Sequence, residues 1–111
     1  MARVLVVDND EQMTQLVRVY LGRSGHVVAT AADGAEALAR VRDFDPQIVL
    51  MDIAMPGMNG IEARRRIAAE RPGLMVVLMT GFPPDSFTYE SFVEPVRVLQ
   101  KPINIPDFIQ I

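Results

Sequence analysis

Cysteine is absent from this 111-residue chain, which excludes disulfides, thiolate metal centres and cysteine nucleophiles and accords with a reducing cytoplasm. Tryptophan is absent too, so the chain carries no indole reporter. Basic residues are in the minority: 11 Lys and Arg stand against 14 Asp and Glu, for a net charge of −3. That balance argues against general affinity for nucleic acid or an anionic membrane, since both favour an excess of positive charge. No apolar run approaches the ~20 residues of a bilayer-spanning helix, and the N-terminus has no signal-peptide pattern. Internal repeats, low-complexity tracts and linkers are missing as well. The expectation is one cytoplasmic domain over residues 1–111 without membrane insertion. A chain of that size buries roughly 65% of its unfolded surface in a single core.

Short apolar runs alternate with helical patterns along the chain. "RVLVV" (Arg3–Val7) is apolar without alternation, the mark of a strand buried on both faces. Met13, Leu16, Val17, Tyr20 and Leu21 predict an amphipathic helix buried along that stripe and closed by "GRSG" (Gly22–Gly25). "HVVAT" (His26–Thr30) reads as a second strand, with the lone histidine expected to face solvent. "DGAE" (Asp33–Glu36) has capping-box spacing and opens a helix that turns Ala37, Leu38 and Val41 inward. "QIVLMD" (Gln47–Asp52) is the third strand and "IAMPGMNG" (Ile53–Gly60) the loop after it.

Asn59 caps a helix running to about Arg71, around which "RRR" (Arg64–Arg66) splays as a solvated face. "LMVVLMT" (Leu74–Thr80) and "VRVLQK" (Val96–Lys101) are the fourth and fifth strands. Between them, one weak helix is expected over Asp85–Val93, and "PDFIQI" (Pro106–Ile111) begins a last, short one. Met51, Met75 and Met79 read as core filler, and Met55 and Met58 as partly exposed.

Alternating strands and helices call for a parallel sheet with helices on both faces, joined by right-handed crossovers. Function in such sheets collects at the carboxyl ends of the strands. Those ends carry Asp8-Asn9-Asp10, Asp52, Thr80 and Lys101. Neighbouring carboxylates repel unless a cation lies between them, and an all-oxygen set suits Mg²⁺ or Mn²⁺. With a lysine ammonium and a threonine hydroxyl beside them, the group describes a phosphoryl-transfer site in which Asp52 can act as nucleophile. The plainer alternative is that Asp8, Asn9 and Asp10 are helix caps, and Asp10 suits a cap as well as it suits a metal.

The segments "VLVVDND", "ADGAEAL", "DPQIVLMDIAMPGMNGIE", "VVLMTG" and "LQKP" together resemble the receiver domain of bacterial two-component response regulators, from about Arg3 to Asp107. The resemblance implies a flavodoxin-like, doubly wound (βα)5 three-layer sandwich with strand order 2-1-3-4-5 and here a shortened last helix. It implies Asp52 as phospho-acceptor, with Mg²⁺ (or Mn²⁺) held by Asp8, Asn9, Asp52 and the Ala54 backbone carbonyl. Thr80 and Lys101 become the groups that contact the phosphoryl, Asp10 a possible accessory, and Pro102 the residue after a cis peptide. The implied partners are a histidine kinase or phosphotransfer protein and a downstream protein target or linked domain, without direct nucleic-acid contact. The implied role is a regulatory phospho-acceptor, with at most self-phosphotransfer and autodephosphorylation, rather than an enzyme.

Some positions depart from the family pattern. Asn9 stands where a second acid is usual, Val98 where an aromatic switch residue is usual, and "GFPPDSF" replaces a regular helix start. These departures motivate a second reading, a degenerate receiver acting as a protein-interaction module. A third, from another class, takes Asp8 and Asp10 as the Asp-x-Asp start of a haloacid-dehalogenase-type phosphatase, although Gln12 stands where that pattern has Thr or Val.

Overall fold

The apolar runs form the strands β1 (Arg3–Val7), β2 (Val27–Ala31), β3 (Ile48–Asp52), β4 (Met75–Thr80) and β5 (Arg97–Gln100). The computed structural model describes residues 1–80 and the backbone of β5. All neighbouring strands pair in parallel, and the five lie in the order β2-β1-β3-β4-β5. Three helices are described: α1 (Glu11–Arg23), α2 (Gly34–Phe44) and α3 (Gly60–Glu70). The expected helix over Asp85–Val93, the last helix, Lys101 and Pro102 lie outside the described residues.

The strands are apolar on successive residues because both sheet faces are covered. Leu5, Val7, Val49, Met51 and Leu78 point to one face and pack with Ala37 and Val41 of α2 and Ala63 and Ile67 of α3. Val4, Val6, Leu50, Val77 and Met79 point to the other and meet Val17 and Leu21 of α1. This is the three-layer, doubly wound arrangement the alternation predicts. Among the described residues no helix is long and apolar enough to cross a membrane.

Each of the three described helices begins on a side-chain cap. Asp10 Oδ1 accepts from the N–H groups of Gln12 (3.0 Å) and Met13 (3.4 Å), Asp33 Oδ1 from Glu36 (2.8 Å), and Asn59 Oδ1 from Glu62 (2.9 Å). The end of α2 turns on Asp45, a non-glycine residue at φ 52°. Its carbonyl accepts from Arg3 Nε at 2.8 Å and its carboxylate pairs with Arg71, which offsets the strained backbone. Arg42 of α2 pairs with Glu70 of α3, and its hydrogen bond holds the Glu70 carboxyl below its ordinary pKa. Arg65 and Arg66 pair with Glu62, so the arginine run is a solvated face as expected.

Four expectations are corrected. The buried stripe of α1 is Thr14, Val17 and Leu21, while Leu16 and Tyr20 stand 63% and 40% exposed. Thr14 can occupy a core position because its hydroxyl donates to the Glu11 carbonyl at 2.9 Å, which hides its polarity. His26 is half-buried rather than solvent-facing, and its Nδ1 accepts from the Ala2 N–H at 3.0 Å. Met75, at the solvent end of β4, is 45% exposed and fills no core, whereas Met55 is buried and joins the cluster under α2 and α3.

Candidate functional site

Strands β1, β3 and β4 end on one edge. Val7 pairs with Met51 and Asp52 with Met79, so Asp8 follows β1 beside Asp52, and Thr80 ends β4 one residue past Met79. These three polar side chains are almost wholly buried, with Asp8 at 2%, Asp52 at 5% and Thr80 at 2% exposure. Placing two carboxylates at a buried strand edge costs free energy unless charge or hydrogen bonds compensate them. Asp8 Oδ1 accepts from the Asp10 N–H at 2.9 Å, and its own N–H extends the β2 pairing to the Ala31 carbonyl at 3.0 Å. Asp52 Oδ1 accepts from the Ala54 N–H at 3.4 Å.

The backbone after Asp52 is held from two sides. Ile53 donates its N–H to the Met79 carbonyl at 2.9 Å, and its carbonyl accepts from the Gly60 N–H at 2.8 Å. The second bond closes the loop 53–60 and seats the start of α3 against the Asp52–Ile53 peptide. A Cβ on Gly60 would overlap the Asp52 carbonyl oxygen and stand 2.8 Å from Ile53 Cα. Only glycine permits this approach. The cap spacing of Asn59 and Glu62 does not reveal this role of Gly60. Its signal is a glycine at the first helical position, where a side chain is normally tolerated. Within the loop, Gly57 turns the chain at φ 76°.

The three residues following β1 part company. Asp8 is buried at the edge, Asn9 is exposed, and Asp10 is exposed and engaged as the α1 cap. Asp8 and Asn9, with Thr14, Thr30 and Glu36, line a pocket of about 250 Å³ on the β2 side of the edge.

Among the described residues no three His, Cys, Asp or Glu side chains are grouped to hold a metal ion. At the edge stand two buried carboxylates, Asp8 and Asp52, with the Asn9 amide next in the chain. Such a donor set fits Mg²⁺, which keeps several waters and takes only one or two carboxylates from the protein. The described parts of the edge therefore bring Asp8, Asp52 and Thr80 together and leave Asn9 at the rim.

Residues 4–111 match the family described as response regulator receiver domain. The chain is 38% identical over 79 residues to the DNA-binding response regulator MtrA of Mycolicibacterium smegmatis, covering 71% of this chain and 34% of that protein. It is 38% identical over 102 residues to the response regulator GacA of Pseudomonas protegens, covering 90% of this chain and 45% of that protein. The chain thus spans less than half the length of these relatives. A CheY-like receiver domain protein from Methanospirillum hungatei superposes with a TM-score of 0.86 at 27% identity, covering 99% of this chain and 89% of that one. Response regulator TrrA from Thermotoga maritima, crystallised in complex with Mg²⁺-BeF, superposes with a TM-score of 0.85 at 26% identity, covering 99% and 95%.

Proposed function

Because the chain belongs to the family of response regulator receiver domains, we propose that Asp52 accepts a phosphoryl group from a phosphohistidine of a partner kinase or phosphotransfer protein. The observation that carries this reading is the convergence of buried Asp8, Asp52 and Thr80 on one sheet edge. A carboxylate oxygen of Asp52 attacks phosphorus, and the P–N bond breaks with its electron pair leaving on the imidazole. The product is an acyl phosphate on Asp52. Burial removes water that would compete with the donor and strengthens each electrostatic contact at the edge. The Thr80 hydroxyl donates to a phosphoryl oxygen and the Lys101 ammonium neutralises another, while the Asp52–Ile53 peptide is kept in register by Met79 and Gly60.

Asp8, Asn9, Asp52 and the Ala54 carbonyl are the groups that would hold Mg²⁺ (or Mn²⁺). When bound, the metal supplies positive charge against the phosphoryl oxygens. Asp10 is assigned to the helix cap, in keeping with its two backbone bonds. The domain is a regulatory phospho-acceptor located in the cytoplasm, with a downstream protein or a covalently linked domain as its output. MtrA is named as DNA-binding and is covered over 34% of its length. The net charge of −3 therefore speaks for this domain and not for any longer protein.

The test is incubation with Mg²⁺ and a small phosphodonor, followed by mass spectrometry of the intact chain and its peptides. The expected result is one phosphoryl group on the peptide containing Asp52. An adduct on the peptide containing Asp8 would turn the reading to the phosphatase class, and no adduct on the folded protein would turn it to the degenerate module.

The metal-holding residues give opposed expectations in calorimetric Mg²⁺ titration. Asp8→Asn removes a full charge near a divalent ion; two opposite unit charges 4 Å apart at an effective dielectric of 20 attract by about 4 kcal/mol. After rehydration of the ion, a loss on the order of 100-fold in affinity is expected. Asn9→Asp adds a charge at the exposed rim, and a gain of roughly threefold to tenfold is expected. Unchanged Mg²⁺ affinity in the Asn9 variant would remove Asn9 from the metal's ligands.

A further inference from the structure

Asp8 and the loop that follows Asp52 are joined by a second path besides the sheet. The Asp8 N–H bonds the Ala31 carbonyl at 3.0 Å, which ties the end of β1 to the end of β2. Three residues on, Gly34 opens α2 behind a closed capping box. Asp33 Oδ1 accepts from the Glu36 N–H at 2.8 Å, and Glu36 Oε2 accepts from the Ala32 N–H at 3.3 Å. Gly34 is buried, and the Met58 side chain of loop 53–60 lies against it. A Cβ on Gly34 would stand 3.0, 3.1 and 3.2 Å from Met58 Sδ, Cβ and Cγ. All three are shorter than the ~3.5–4.0 Å of an unstrained carbon contact. Gly34 lies outside the positive-φ region, so alanine suits its backbone and Met58 alone takes the space.

We propose that Met58 is a positioning residue for the metal: seated on Gly34, it holds the Ala54 carbonyl in register with Asp8. Rotating the Met58 side chain moves Cγ and Sδ but leaves Cβ where the backbone puts it, so crowding at Gly34 has to shift the loop itself. The bond from Gly60 to the Ile53 carbonyl, 2.8 Å, fixes the two ends of that loop. A displacement at Met58 is therefore absorbed between residues 54 and 59, where Ala54 lies. On the other side the capping box keeps the start of α2 from yielding. A soft thioether is a poor ligand for Mg²⁺, so the part Met58 plays is mechanical. The proposal rests on the reading of Asp8, Asp52 and the Ala54 carbonyl as metal-holding groups.

The test is a calorimetric Mg²⁺ titration of the parent, Gly34→Ala, Met58→Ala and the double variant. Groups that orient metal ligands from behind typically change affinity by roughly 10- to 100-fold when altered, and about tenfold is expected for each single change. In the double variant the added methyl enters space that the shortened side chain has vacated. Its loss should stay near tenfold instead of reaching the roughly 100-fold of two independent effects. Phosphoryl uptake from a small donor separates positioning from general damage: it should fall at low Mg²⁺ and return to within about twofold of the parent at saturating Mg²⁺. Met58 is only half-buried, so the variants should keep the parent's circular dichroism. Unchanged Mg²⁺ affinity in both single variants, with a parent that binds Mg²⁺ and takes up phosphoryl, overturns this proposal alone. Losses that multiply to roughly 100-fold overturn it by showing that the two residues act apart. Uptake that stays low at saturating Mg²⁺ overturns it by moving the damage to the acceptor. A parent that binds no Mg²⁺ overturns it together with the metal reading.

Discussion

Asp52→Asn is expected to abolish the acyl phosphate while leaving the chain folded. The amide has no anionic oxygen to attack phosphorus, and a phosphodonor should give no adduct by mass spectrometry, a loss on the order of 1,000-fold or more. The fold should survive the change. Asp52 is 5% exposed, and the amide has nearly the shape and volume of the carboxylate, so packing at the strand edge is kept. The variant is expected to show the parent's circular dichroism and a single cooperative melt. Asp52→Glu keeps the charge but displaces it by more than ~1 Å, for which a rate loss of about 100-fold is expected. An adduct that survives Asp52→Asn would move the nucleophile elsewhere. A variant that is both unfolded and inactive would deny Asp52 a chemical role separable from folding.

Gly60→Ala is the second large effect, and it reaches the site through the backbone. The added methyl would overlap the Asp52 carbonyl oxygen and press on Ile53 Cα, both backbone atoms that cannot rotate away. Either α3 lifts from the β3 end, losing the 2.8 Å bond from Gly60 to Ile53, or the Asp52–Ile53 peptide shifts. Overpacking of this kind costs typically 1–3 kcal/mol and here should reach about 3, because neither neighbour is a side chain. Thermal denaturation should show a fall of roughly 10–15 °C. Phosphoryl uptake measured well below that transition should also fall, by about tenfold or more, because the acceptor carboxylate is carried on the displaced peptide. Parent-like stability would show that the loop yields without cost. Parent-like uptake in a destabilised variant would confine Gly60 to folding.

The strand ends were readable because burial on both faces leaves a continuous apolar run, and a polar residue closing such a run is conspicuous. Asp8, Asp52 and Thr80 each follow that pattern, and the parallel topology does the rest by bringing carboxyl ends to one edge. The helix caps Asp33 and Asn59 were readable for a local reason, since the acceptor and its N–H donor lie within one turn. The face of α1 was not. Five apolar residues within one helix make two overlapping stripes, Met13–Leu16–Tyr20 and Val17–Leu21, and periodicity does not rank them. Met55 and Met75 depart from their pattern for a related reason, because burial at a loop or a strand end depends on what packs over it.

By itself the sequence determined the element types and order, the parallel sheet and the candidate edge of Asp8, Asp52 and Thr80, because each rests on near-neighbour patterns and chain connectivity. Tertiary structure alone decided that Thr14 rather than Leu16 enters the core, that Asp10 caps α1 while Asp8 is buried at the edge, that His26 accepts from Ala2, and that position 60 must lack a side chain. These depend on how helices and loops dock against strands distant in the chain. A single ångström of approach between α3 and the Asp52–Ile53 peptide decides which residue fits there, and a one-dimensional pattern carries no such distance.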